Sequence, residues 1–582
     1  MNINWYTLSD LYQSDHFPII IQLPEYATHG RKRPRWIIEK ADWANYTSFI
    51  NKNNLVEGCN DINSLVEKFT ETLITAATVT IPKTNNCVQN KSVPWWTSDI
   101  KAAIKAKRKA LRIFNRSPTA ENLSNFRRNR AIARLKVRKA KQASWQEFVS
   151  QITSDTPSAI IFKKIRAISG NYKTNTIQNL LVNNDTITHP YFIANEIGKS
   201  MQHTSSSSNY SIQFQTYKTQ AELTNLNISS INDEEYNSMF SNIELTKSLN
   251  NCKGSSPGID EIHYDMIKHL DIYALDHLLY IYNTIWAQHI IPTSWLTSLI
   301  IPILKPGKPQ TDSTSYRPIA LTSCLLKVME GMVNARLIWI LEKYGHLDNR
   351  QYGFRRNRST LDPILIMESA IQDAFLSRKM CVAVFFDIKK AYDMVWRYHI
   401  IKELYDMGIR GNLIHFVKSF LRTRSFKVMV GDNYSDIYEQ ENGIPQGSKL
   451  SVTLFLIGIN SILKSVKEPV EALLFADDLV IYMTGSNAKK IEKNLQNTLN
   501  QLSKWSEKNG LQFAPDKMTM MQFSRLRRQE QRVKLTLNGA VISYSENKKF
   551  LGIHFDKRLT WKKHIQETYN STIKQTNILK IL

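Results

Sequence analysis

Two adjacent acidic residues, Asp477 and Asp478, lie inside the apolar stretch ALLFADDLVIYM at residues 472–483. Neighbouring carboxylates repel each other, and removing them from water without a partner costs several kcal/mol. A divalent cation reverses the sign of that cost, because hard cations favour oxygen ligands. The pattern therefore predicts a metal site within a strand-forming segment.

A third acid, Asp387, ends another apolar run in the segment MCVAVFFDIKKAYDMVW. Period-2 alternation allows this side chain to point toward a sheet edge. Taken alone, a strand-terminal Asp is also consistent with a turn or a helix cap. Three acids on two predicted strands can hold two magnesium ions, which in two-metal catalysis stand about 3.5–4 Å apart and stabilise the attacking and leaving oxygens of phosphoryl transfer.

A series of ordered motifs resembles those of reverse transcriptases. FADD resembles the metal-binding box, FFDIKKAYDMVW the first palm motif, and NGIPQGSKLSVTLFLIGIN the motif between them. Upstream, IIPILKPGKPQTDSTSYRPIALTSCLLKVMEGMVNARL and QYGFRRNRST resemble fingers motifs. Downstream, LQFAPDKMTMMQF and KFLGIHFD resemble the remaining palm motif and the primer grip. The resemblance covers about residues 235–580, and its details are those of jockey-like non-LTR retrotransposons.

The resemblance implies a role for each candidate residue. Asp387 and Asp477 would be the principal ligands of two Mg²⁺ ions, for which Mn²⁺ can substitute, and Asp478 would be a weaker ligand. Lys517 would protonate the leaving pyrophosphate, although lysine is also common on surfaces. The implied nucleotide-binding residues are Arg317, Tyr392, Gln446 and Gly447, and the implied primer grip is Phe550, Leu551 and Gly552.

Tyr392 and Arg317 carry the most specific of these expectations. The Tyr392 ring matches a steric gate that excludes a ribose 2′-OH, and the alternative is an ordinary core aromatic. Arg317 would grip the triphosphate with a planar, permanently charged fork. Gly443 and Gly447 would let the backbone approach the nucleotide, and Ser448 is a candidate cap for the next helix.

The composition favours a polyanionic partner. Lys and Arg total 76 against 51 acids, a formal net charge of +25, which suggests nucleic acid, although basic membrane-surface proteins share the sign. The 5 cysteines are scattered and predict neither a disulfide framework nor a zinc site. We see no signal peptide and no apolar stretch of about 20 residues. We therefore expect an intracellular protein, in a cytoplasmic ribonucleoprotein and in the nucleus.

Residues 101–141 contain 15 Lys or Arg and a single acid, Glu121. Helical spacing and the break at Ser117-Pro118 predict a basic helical hairpin that binds RNA. The alternative is a solvated charged face, which usually mixes charges of both signs. The expected core contacts are Ile104, Leu111, Phe114, Ile132, Leu135 and Trp145.

The first residues resemble a different enzyme. SDHFPIIIQL, at residues 14–23, resembles the last motif of an apurinic endonuclease-like nuclease, in which His16 would be the general base and Asp15 would orient it. The rest of such a domain needs some 200 more residues upstream. We therefore expect Asp15 and His16 to be a relic in a truncated copy of the element.

The expected fold is α+β: a right-hand polymerase with an antiparallel-sheet palm, fingers and a partial thumb, preceded by a mainly helical basic extension. The expected divisions are an endonuclease remnant (1–29), the basic extension (30–199), a linker (200–230), fingers (231–379), palm with primer grip (380–555) and the start of a thumb (556–582).

The expected activity is RNA-directed DNA synthesis on an RNA template, from dNTPs and a DNA primer or nicked target DNA. The expected partners include no membrane, and the oligomeric state is left open. A viral-type or group II intron-like polymerase is the enzymatic alternative, but Ala476 before the two acids and the aromatic Tyr392 argue against a viral RNA polymerase. The non-enzymatic alternative is an inactive truncated copy that at most binds RNA.

Overall fold

A computed structural model describes residues 4–7, 19–22, 34–53, 55, 61–84, 93–153, 156, 158–169, 177–254, 256–525 and 532–580. The expected relic residues Asp15 and His16 lie outside the described residues. The chain divides into two compact units. The larger unit comprises Met1–Asn86 and Thr176–Trp561, and the smaller unit comprises Cys87–Asn175 and Lys562–Leu582.

The first helices along the described chain are α1 (Trp43–Asn51), α2 (Ile62–Thr80), α3 (Ser98–Arg116), α4 (Ala120–Ser150) and α5 (Ser158–Ser169). The next are α6 (Pro190–Thr204), α7 (Ile212–Glu222), α8 (Asn242–Asn250), α9 (Tyr264–Lys268), α10 (Ile272–Gln288) and α11 (Thr293–Leu296). Then follow α12 (Cys324–Lys343), α13 (Leu361–Leu376), α14 (Ala391–Met394) and α15 (Arg397–Asp406). The last are α16 (Asn412–Phe420), α17 (Lys449–Asn460), α18 (Ala488–Asn509) and α19 (Lys562–Lys580). Among these residues, no helix has both the length and the apolar character needed to cross a membrane.

The first strands are β1 (Asn4–Thr7), β2 (Ile19–Gln22), β3 (Leu180–Val182), β4 (Asp185–Ile187), β5 (Thr297–Leu304) and β6 (Tyr316–Leu321). The next are β7 (Met380–Phe385), β8 (Arg424–Val430), β9 (Asn433–Tyr434), β10 (Tyr438–Gln440), β11 (Glu471–Phe475) and β12 (Asp478–Gly485). The last are β13 (Thr519–Phe523), β14 (Thr536–Leu537), β15 (Ala540–Val541), β16 (Ser543–Tyr544), β17 (Asn547–Phe550) and β18 (Ile553–Asp556).

The sheet from which the three acids project has the strand order β11-β12-β7-β13-β16. Its neighbouring strands are antiparallel except for β13 and β16. Every residue of the central strand β7 is buried, and successive side chains point to opposite faces. Val382 and Val384 join one extensive apolar cluster, whereas Ala383 and Phe385 join a second cluster that includes Met367 of α13. The strand that leads to Asp387 is thus covered on both faces.

A second sheet has the order β10-β8-β5-β6, with β9 paired to β8. Strands β5 and β8 are parallel, and the other pairs are antiparallel. Helix α6 packs on this sheet, where Ile193 and Ile197 share a buried cluster with Val428. The chain is therefore mixed α/β with sheets rich in antiparallel pairs, which agrees with the expected α+β class.

Helix α2 belongs to the larger unit. It buries Leu65 and Phe69 in the extensive cluster that also contains Trp286 of α10. An amphipathic helix with this apolar face needs a core to cover it. The structure consequently divides the expected extension at 30–199 between the two units instead of leaving it as one basic segment.

The segment 200–230, expected from its polar composition to be a linker, contains helical structure that packs on the larger unit. Tyr210 and Phe214 are buried in one cluster with Trp396, and the Tyr210 hydroxyl donates to the carbonyl of Met394 at 2.6 Å. Aromatic side chains bury large areas, so two rings are enough to attach a segment that is otherwise polar. The segment that the composition predicted as a linker is therefore packed within the larger unit.

The smaller unit contains the helical hairpin expected from residues 101–141. Helices α3 and α4 are joined at residues 117–119 and pack against each other. Their fully buried residues include Ala103, Ala110 and Ala133. Small buried residues let two helices approach closely, so the long Lys and Arg side chains lie around a narrow apolar contact.

Two of the expected core contacts of this hairpin lie on its surface. Ile132 is 42% exposed and Leu135 is 53% exposed. Successive helical residues are rotated by about 100°, and the covered face of α4 passes through Ala133 and Val137 instead. The other expected contacts are half-buried: Ile104, Leu111, Phe114 and Trp145.

Candidate active site

The pairing of β7 with β12 brings two distant acids together. These strands are antiparallel neighbours, and beyond the last residue of β7 the Phe386 N–H donates to the Leu479 carbonyl at 2.9 Å. Continuing this register by one residue on each strand places Asp387 opposite Asp478. The sheet therefore assembles the acids that the sequence predicted as metal ligands.

Asp477 lies in the tight turn between β11 and β12. Phe475 pairs with Asp478 across this turn, and the intervening residues are Ala476 and Asp477. Ala476 has φ +57°, in the left-handed region that side-chain-bearing residues seldom adopt. The turn presents Asp477 and Asp478 side by side, and both are exposed to solvent.

The charges of the three carboxylates interact. Partial desolvation by the surrounding protein, together with the charges of Asp477 and Asp387, raises the pKa of Asp478 to about 6. The pKa of Asp477 is also raised, first by desolvation and then by Asp387. The ionised forms are thus destabilised where they lie.

Two lysines lie beside these acids. Lys517 Nζ is 3.7 Å from Asp387 Oδ1, and both side chains are substantially exposed. Lys548 is half-buried and donates to Thr519 Oγ1 at 3.2 Å. Burial lowers the pKa of Lys548, and the charges of Asp387 and Asp478 oppose that shift. Both cations therefore offset part of the repulsion between the acids.

Arg317 reaches the same site from the second sheet. It is exposed on β6, and its charge lowers the pKa of Asp477 against the larger effect of desolvation. Lys305, at the loop after β5, donates to the Thr314 carbonyl at 2.9 Å, and its charge interacts with those of Arg317 and Asp393. Two positively charged side chains, Arg317 and Lys305, thus lie near the acids, and Arg317 is the residue predicted to bind the triphosphate.

The donor set suits a hard divalent cation. It consists of carboxylate oxygens whose negative charges are destabilised by desolvation and by each other, and such oxygens are preferred by Mg²⁺. Within the described residues, no group of three or more acidic, His or Cys side chains is arranged so that it could hold a metal ion. The oxygen donors thus fit a metal ion by their chemistry, whereas their arrangement in this structure does not form a metal site.

Tyr392 lies at this site with one ring face covered. The ring stacks on Phe455 of α17, with centroids 4.2 Å apart and planes at 14°. Burial, together with the charge of Asp477, raises the pKa of Tyr392 to about 12. The ring is thus held firmly by a core aromatic while lying close enough to Asp477 to sense its charge.

Asp393 orients Gln446. The Gln446 Nε2 donates to Asp393 Oδ1 at 2.9 Å, and burial raises the pKa of Asp393. Asp393 does not cap the helix that follows it, because α15 has no side-chain cap. The hydrogen bond instead fixes which way the Gln446 amide faces, and leaves its oxygen available as an acceptor.

Gly443 and Gly447 lie where the backbone approaches other backbone closely. A Cβ on Gly443 (φ +74°) would lie 2.4 Å from the Asp393 carbonyl oxygen, and one on Gly447 (φ +130°) would lie 2.4 Å from that of Ala320. Neither contact could be relieved by moving a side chain. The sequence predicted an approach to the nucleotide, and the structure shows that the packing of the protein already requires both glycines.

Helix α17 is capped by a side chain from α12. The buried Glu330 carboxylate accepts hydrogen bonds from the N–H groups of Lys449 at 2.7 Å and Leu450 at 3.2 Å. The expected cap, Ser448, makes no capping bond to its own helix and donates its hydroxyl proton to Glu330. A carboxylate satisfies helix N-terminal donors better than a hydroxyl because it also interacts with the helix dipole.

The expected primer grip is a hairpin formed by β17 and β18. Phe550 is buried, with its ring centroid 5.7 Å from that of Phe385. The turn consists of Leu551 at φ +47° and Gly552 at φ +93°. Phe550 therefore anchors the hairpin on the acid-bearing sheet, and contact of the turn with a primer stays a prediction.

A small cavity of about 90 Å³ adjoins Gln446. Its lining includes Lys305, Tyr316, Lys390, Asp393 and Gln446. A larger cavity of about 650 Å³ is lined partly by Trp396 and Trp505 and contains none of the predicted site residues. We therefore place the candidate site at the acids and not at the larger cavity.

Several residues at the site were not anticipated from the sequence. Lys548 could have been predicted, because side chains alternate along a strand and Lys548 therefore lies on the same face of β17 as the predicted primer-grip residue Phe550. Lys305 gave a weaker signal, because it lies in the segment IIPILKPGKPQ, which already belonged to an assigned fingers motif. Glu330 and Gln351 also lie in motifs that were already assigned, but their roles could not be predicted, since each depends on a hydrogen bond to a residue more than a hundred positions away.

Comparison with known proteins identifies residues 303–555 with the family described as "Reverse transcriptase (RNA-dependent DNA polymerase)". The chain is 32% identical over 335 residues to the probable RNA-directed DNA polymerase from transposon BS of Drosophila melanogaster, covering 56% of this chain and 36% of the relative. It is 25% identical over 591 residues to the RNA-directed DNA polymerase from mobile element jockey of the same species, covering 96% of this chain and 61% of the relative. The jockey protein of Drosophila funebris is 24% identical over 600 residues, covering 99% and 64%. The aligned regions thus span between about a third and two thirds of these relatives.

We predict that Asp478→Asn stabilises the metal-free protein at neutral pH. Because desolvation and the neighbouring carboxylates raise the folded-state pKa of Asp478 to about 6, compared with about 3.9 for an unperturbed Asp, its favourable contribution to folding is complete below about pH 4 and lost as pH rises through 6. The Tm of Asp478→Asn measured with chelator should therefore exceed that of wild type at pH 7.5, and the difference should shrink toward pH 4.

The matched control is Asp233→Asn, which removes the same charge from an exposed position and should give no comparable pH-dependent difference. Adding Mg²⁺ should raise the Tm of wild type more than that of Asp478→Asn. A Tm difference that is constant from pH 4 to 7.5 would contradict the repulsion assigned to these acids.

Proposed function

Because residues 303–555 belong to the reverse transcriptase family, and the chain is related to the polymerases of jockey-like non-LTR retrotransposons, we propose that it synthesises DNA on an RNA template. The observation that supports this most directly is the register that places Asp387 opposite Asp478 at the end of a buried strand. The reaction joins the primer 3′-oxygen to the α-phosphorus of a dNTP and breaks the bond to pyrophosphate.

Asp387, Asp477 and Asp478 would hold divalent metal ions, as reverse transcriptases generally do, and Mg²⁺ is the proposed cofactor with Mn²⁺ as a substitute. When bound, such ions supply charge neutralisation for phosphoryl transfer. The two lysines beside the acids would have a role that is separate from metal binding. Lys517, 3.7 Å from Asp387, holds a proton close to where the pyrophosphate leaves, and Lys548 offsets part of the negative charge of the acids and favours the ionised form of Asp478.

The dNTP would lie between the two sheets. Arg317 and Lys305 attract the triphosphate, since guanidinium and ammonium groups bind phosphate oxygens. Gln446, oriented by Asp393 at 2.9 Å, presents its amide oxygen toward the nucleotide. Tyr392, stacked on Phe455, would stand beside the sugar and exclude a 2′-OH.

The remaining parts of the chain would bind the nucleic acids. In this proposal the acid-bearing sheet is the palm, β17 and β18 carry the primer grip at their turn, residues 231–379 form fingers, and α19 begins a thumb. The basic hairpin of α3 and α4 would bind element RNA. The proposed primer is a DNA 3′-end, including that of nicked target DNA.

The proposal is tested by primer extension with purified protein on an RNA template, comparing dNTPs with rNTPs. We expect Mg²⁺-dependent DNA synthesis by wild type and at least about a 10³-fold loss in Asp387→Asn or Asp477→Asn, because removing a ligand removes transition-state charge stabilisation. Asp233→Asn is the control for a general charge effect. Near-normal synthesis by Asp387→Asn would refute the metal assignment, and no synthesis by folded wild type would favour an inactive RNA-binding copy.

We predict that Tyr392→Val raises ribonucleotide incorporation relative to deoxynucleotide incorporation. The smaller side chain opens space where the 2′-OH would lie, so the ratio of kcat/KM for dNTP to that for rNTP should fall by about 10-fold or more. Phe455→Leu is the control, since it loosens the stack beneath Tyr392 but leaves the ring in place. If dNTP activity persists in Tyr392→Val with an unchanged ratio, Tyr392 only packs the core.

We predict that the basic hairpin dominates the salt dependence of RNA binding. The six residues expected to contact phosphates are Lys107, Arg108, Arg127, Arg128, Arg134 and Lys139. Each neutralised phosphate contributes about −0.7 to the slope of log affinity against log salt on single strands, so replacing all six by Gln should flatten the slope by up to about 4.

The matched control replaces three exposed lysines of α18, Lys489, Lys490 and Lys493, and is compared with the triple Arg127, Arg128 and Arg134 substitution to Gln. Only the hairpin triple should flatten the slope by about 2. Equal slopes for the two triple variants would mean that the hairpin charges form a solvated face.

A further inference from the structure

The turn that carries Asp477 is held from outside its own hairpin. Residues 350–353 run alongside β11 in parallel, with the Tyr352 N–H donating to the Leu474 carbonyl at 2.8 Å and the Leu474 N–H donating to the Arg350 carbonyl at 2.9 Å. Gln351, in the middle of this segment, is fully buried. Its side chain therefore points into the protein beside the turn.

The Gln351 Oε1 accepts two backbone hydrogen bonds. It accepts from the Gly353 N–H at 2.8 Å and from the Ala476 N–H at 3.2 Å. Two N–H donors facing one atom require an oxygen there, which fixes the amide orientation. The bond to Ala476 joins two segments that are 125 positions apart.

Ala476, whose N–H is held by Gln351, is also the residue of the turn with a strained backbone. Ala476 lies at φ +57°, a conformation that glycine adopts freely and alanine does not. Gly353 closes the contact from the other side, because a Cβ on it would lie 2.3 Å from the Ala476 nitrogen. The turn therefore keeps its shape through an outside hydrogen bond and close packing, and its own sequence opposes that shape.

A purely stabilising role does not account for the choice of glutamine. In the part of the chain that the structure describes, the buried Gln351 Nε2 has no hydrogen-bond partner, and an unsatisfied buried donor is unfavourable. Glutamate would remove the unsatisfied donor and keep the acceptor, but it would bring a further negative charge next to Asp477 and Asp478. Glutamine supplies the acceptor oxygen that the turn needs and adds no negative charge beside the two acids.

The geometry points to Gln351 as a positioning residue for polymerisation: it holds Ala476 in the left-handed turn and so fixes where Asp477 and Asp478 stand. The predicted effect of Gln351 on catalysis rests on the proposed function. Its effect on the shape of the turn does not depend on that function. The acids themselves would make the reactive contacts. Gln351 would act only through the Ala476 backbone.

The test is a double-substitution cycle of Gln351→Met with Ala476→Gly. Methionine keeps the length of the side chain and has no acceptor oxygen for the two N–H groups, and glycine removes the penalty of the left-handed turn. We expect Gln351→Met to lower kcat for extension by about 10- to 100-fold, as for a misplaced catalytic group, with little change in the KM for dNTP. In the Ala476→Gly background the same substitution should cost several-fold less.

Hydrogen exchange supplies a measurement that is independent of activity. Mass spectrometry of the peptide containing Ala476 should show faster exchange of that amide in Gln351→Met, and weaker Mn²⁺ binding should accompany it. Gln351→Asn, which retains an amide but withdraws the oxygen by one methylene, should show the same two changes if Gln351→Met fails to fold.

The outcomes separate the two proposals. If wild type does not extend a primer but Gln351→Met exposes the Ala476 amide, the proposed function fails and the holding of the turn stands. If Gln351→Met and Gln351→Asn leave both the exchange of Ala476 and the Mn²⁺ affinity unchanged, the inference is overturned. Equal kcat losses in the two Ala476 backgrounds would likewise overturn it, because a packing defect has no reason to be relieved by glycine at the turn.

Discussion

The mutual repulsion of three neighbouring carboxylates, of which Asp477 and Asp478 are partly desolvated, is the constraint on which the rest of the site depends. Asp478 bears it most visibly, with a pKa raised to about 6. Side chains with this repulsion would separate if their backbone allowed it. They stay together because β7 is covered on both faces and because its pairing with β12 leaves Asp387 opposite Asp478. The rigidity of the sheet is therefore what the chemistry requires of the fold.

The loop around Gln446 is held with similar rigidity by groups far from it in sequence. Arg397 donates from Nε to the Gly443 carbonyl at 2.7 Å and from Nη2 to the Gln440 carbonyl at 2.9 Å. Burial lowers the pKa of Arg397 to about 9, which still leaves the side chain charged at neutral pH. With Glu330 at the start of α17, the loop has a charged anchor on each side.

The three acids that the sequence analysis singled out are brought together by the strand pairing, whereas the residues that support them were not singled out. Asp387, Asp477 and Asp478 were predictable because a charge inside an apolar strand is costly and so demands an explanation. Gln351 was not, because an uncharged polar residue carries no such signal and its partners depend on the three-dimensional arrangement.

The errors outside the site have the same physical origin. The linker expected at 200–230 rested on average polarity, whereas two buried rings, Tyr210 and Phe214, decide its packing. In the basic hairpin, Ile132 and Leu135 are exposed because the alanine at 133 allows a closer helix contact than a branched side chain would. Local composition indicates which structure a segment favours, but a few contacts between distant segments determine how that segment packs.

The bond between Gln351 and Ala476 also has a consequence for the order in which the protein can fold. A ribosome must synthesise a further 125 positions after Gln351 before its partner exists, and closing a loop of that length costs conformational entropy that a local hairpin avoids. The hairpin of β11 and β12 can form early from neighbouring residues, but its strained turn gains its outside hydrogen bond only when the distant segment docks. The nascent chain can therefore form the β11–β12 hairpin before the turn that carries Asp477 and Asp478 receives its outside hydrogen bond.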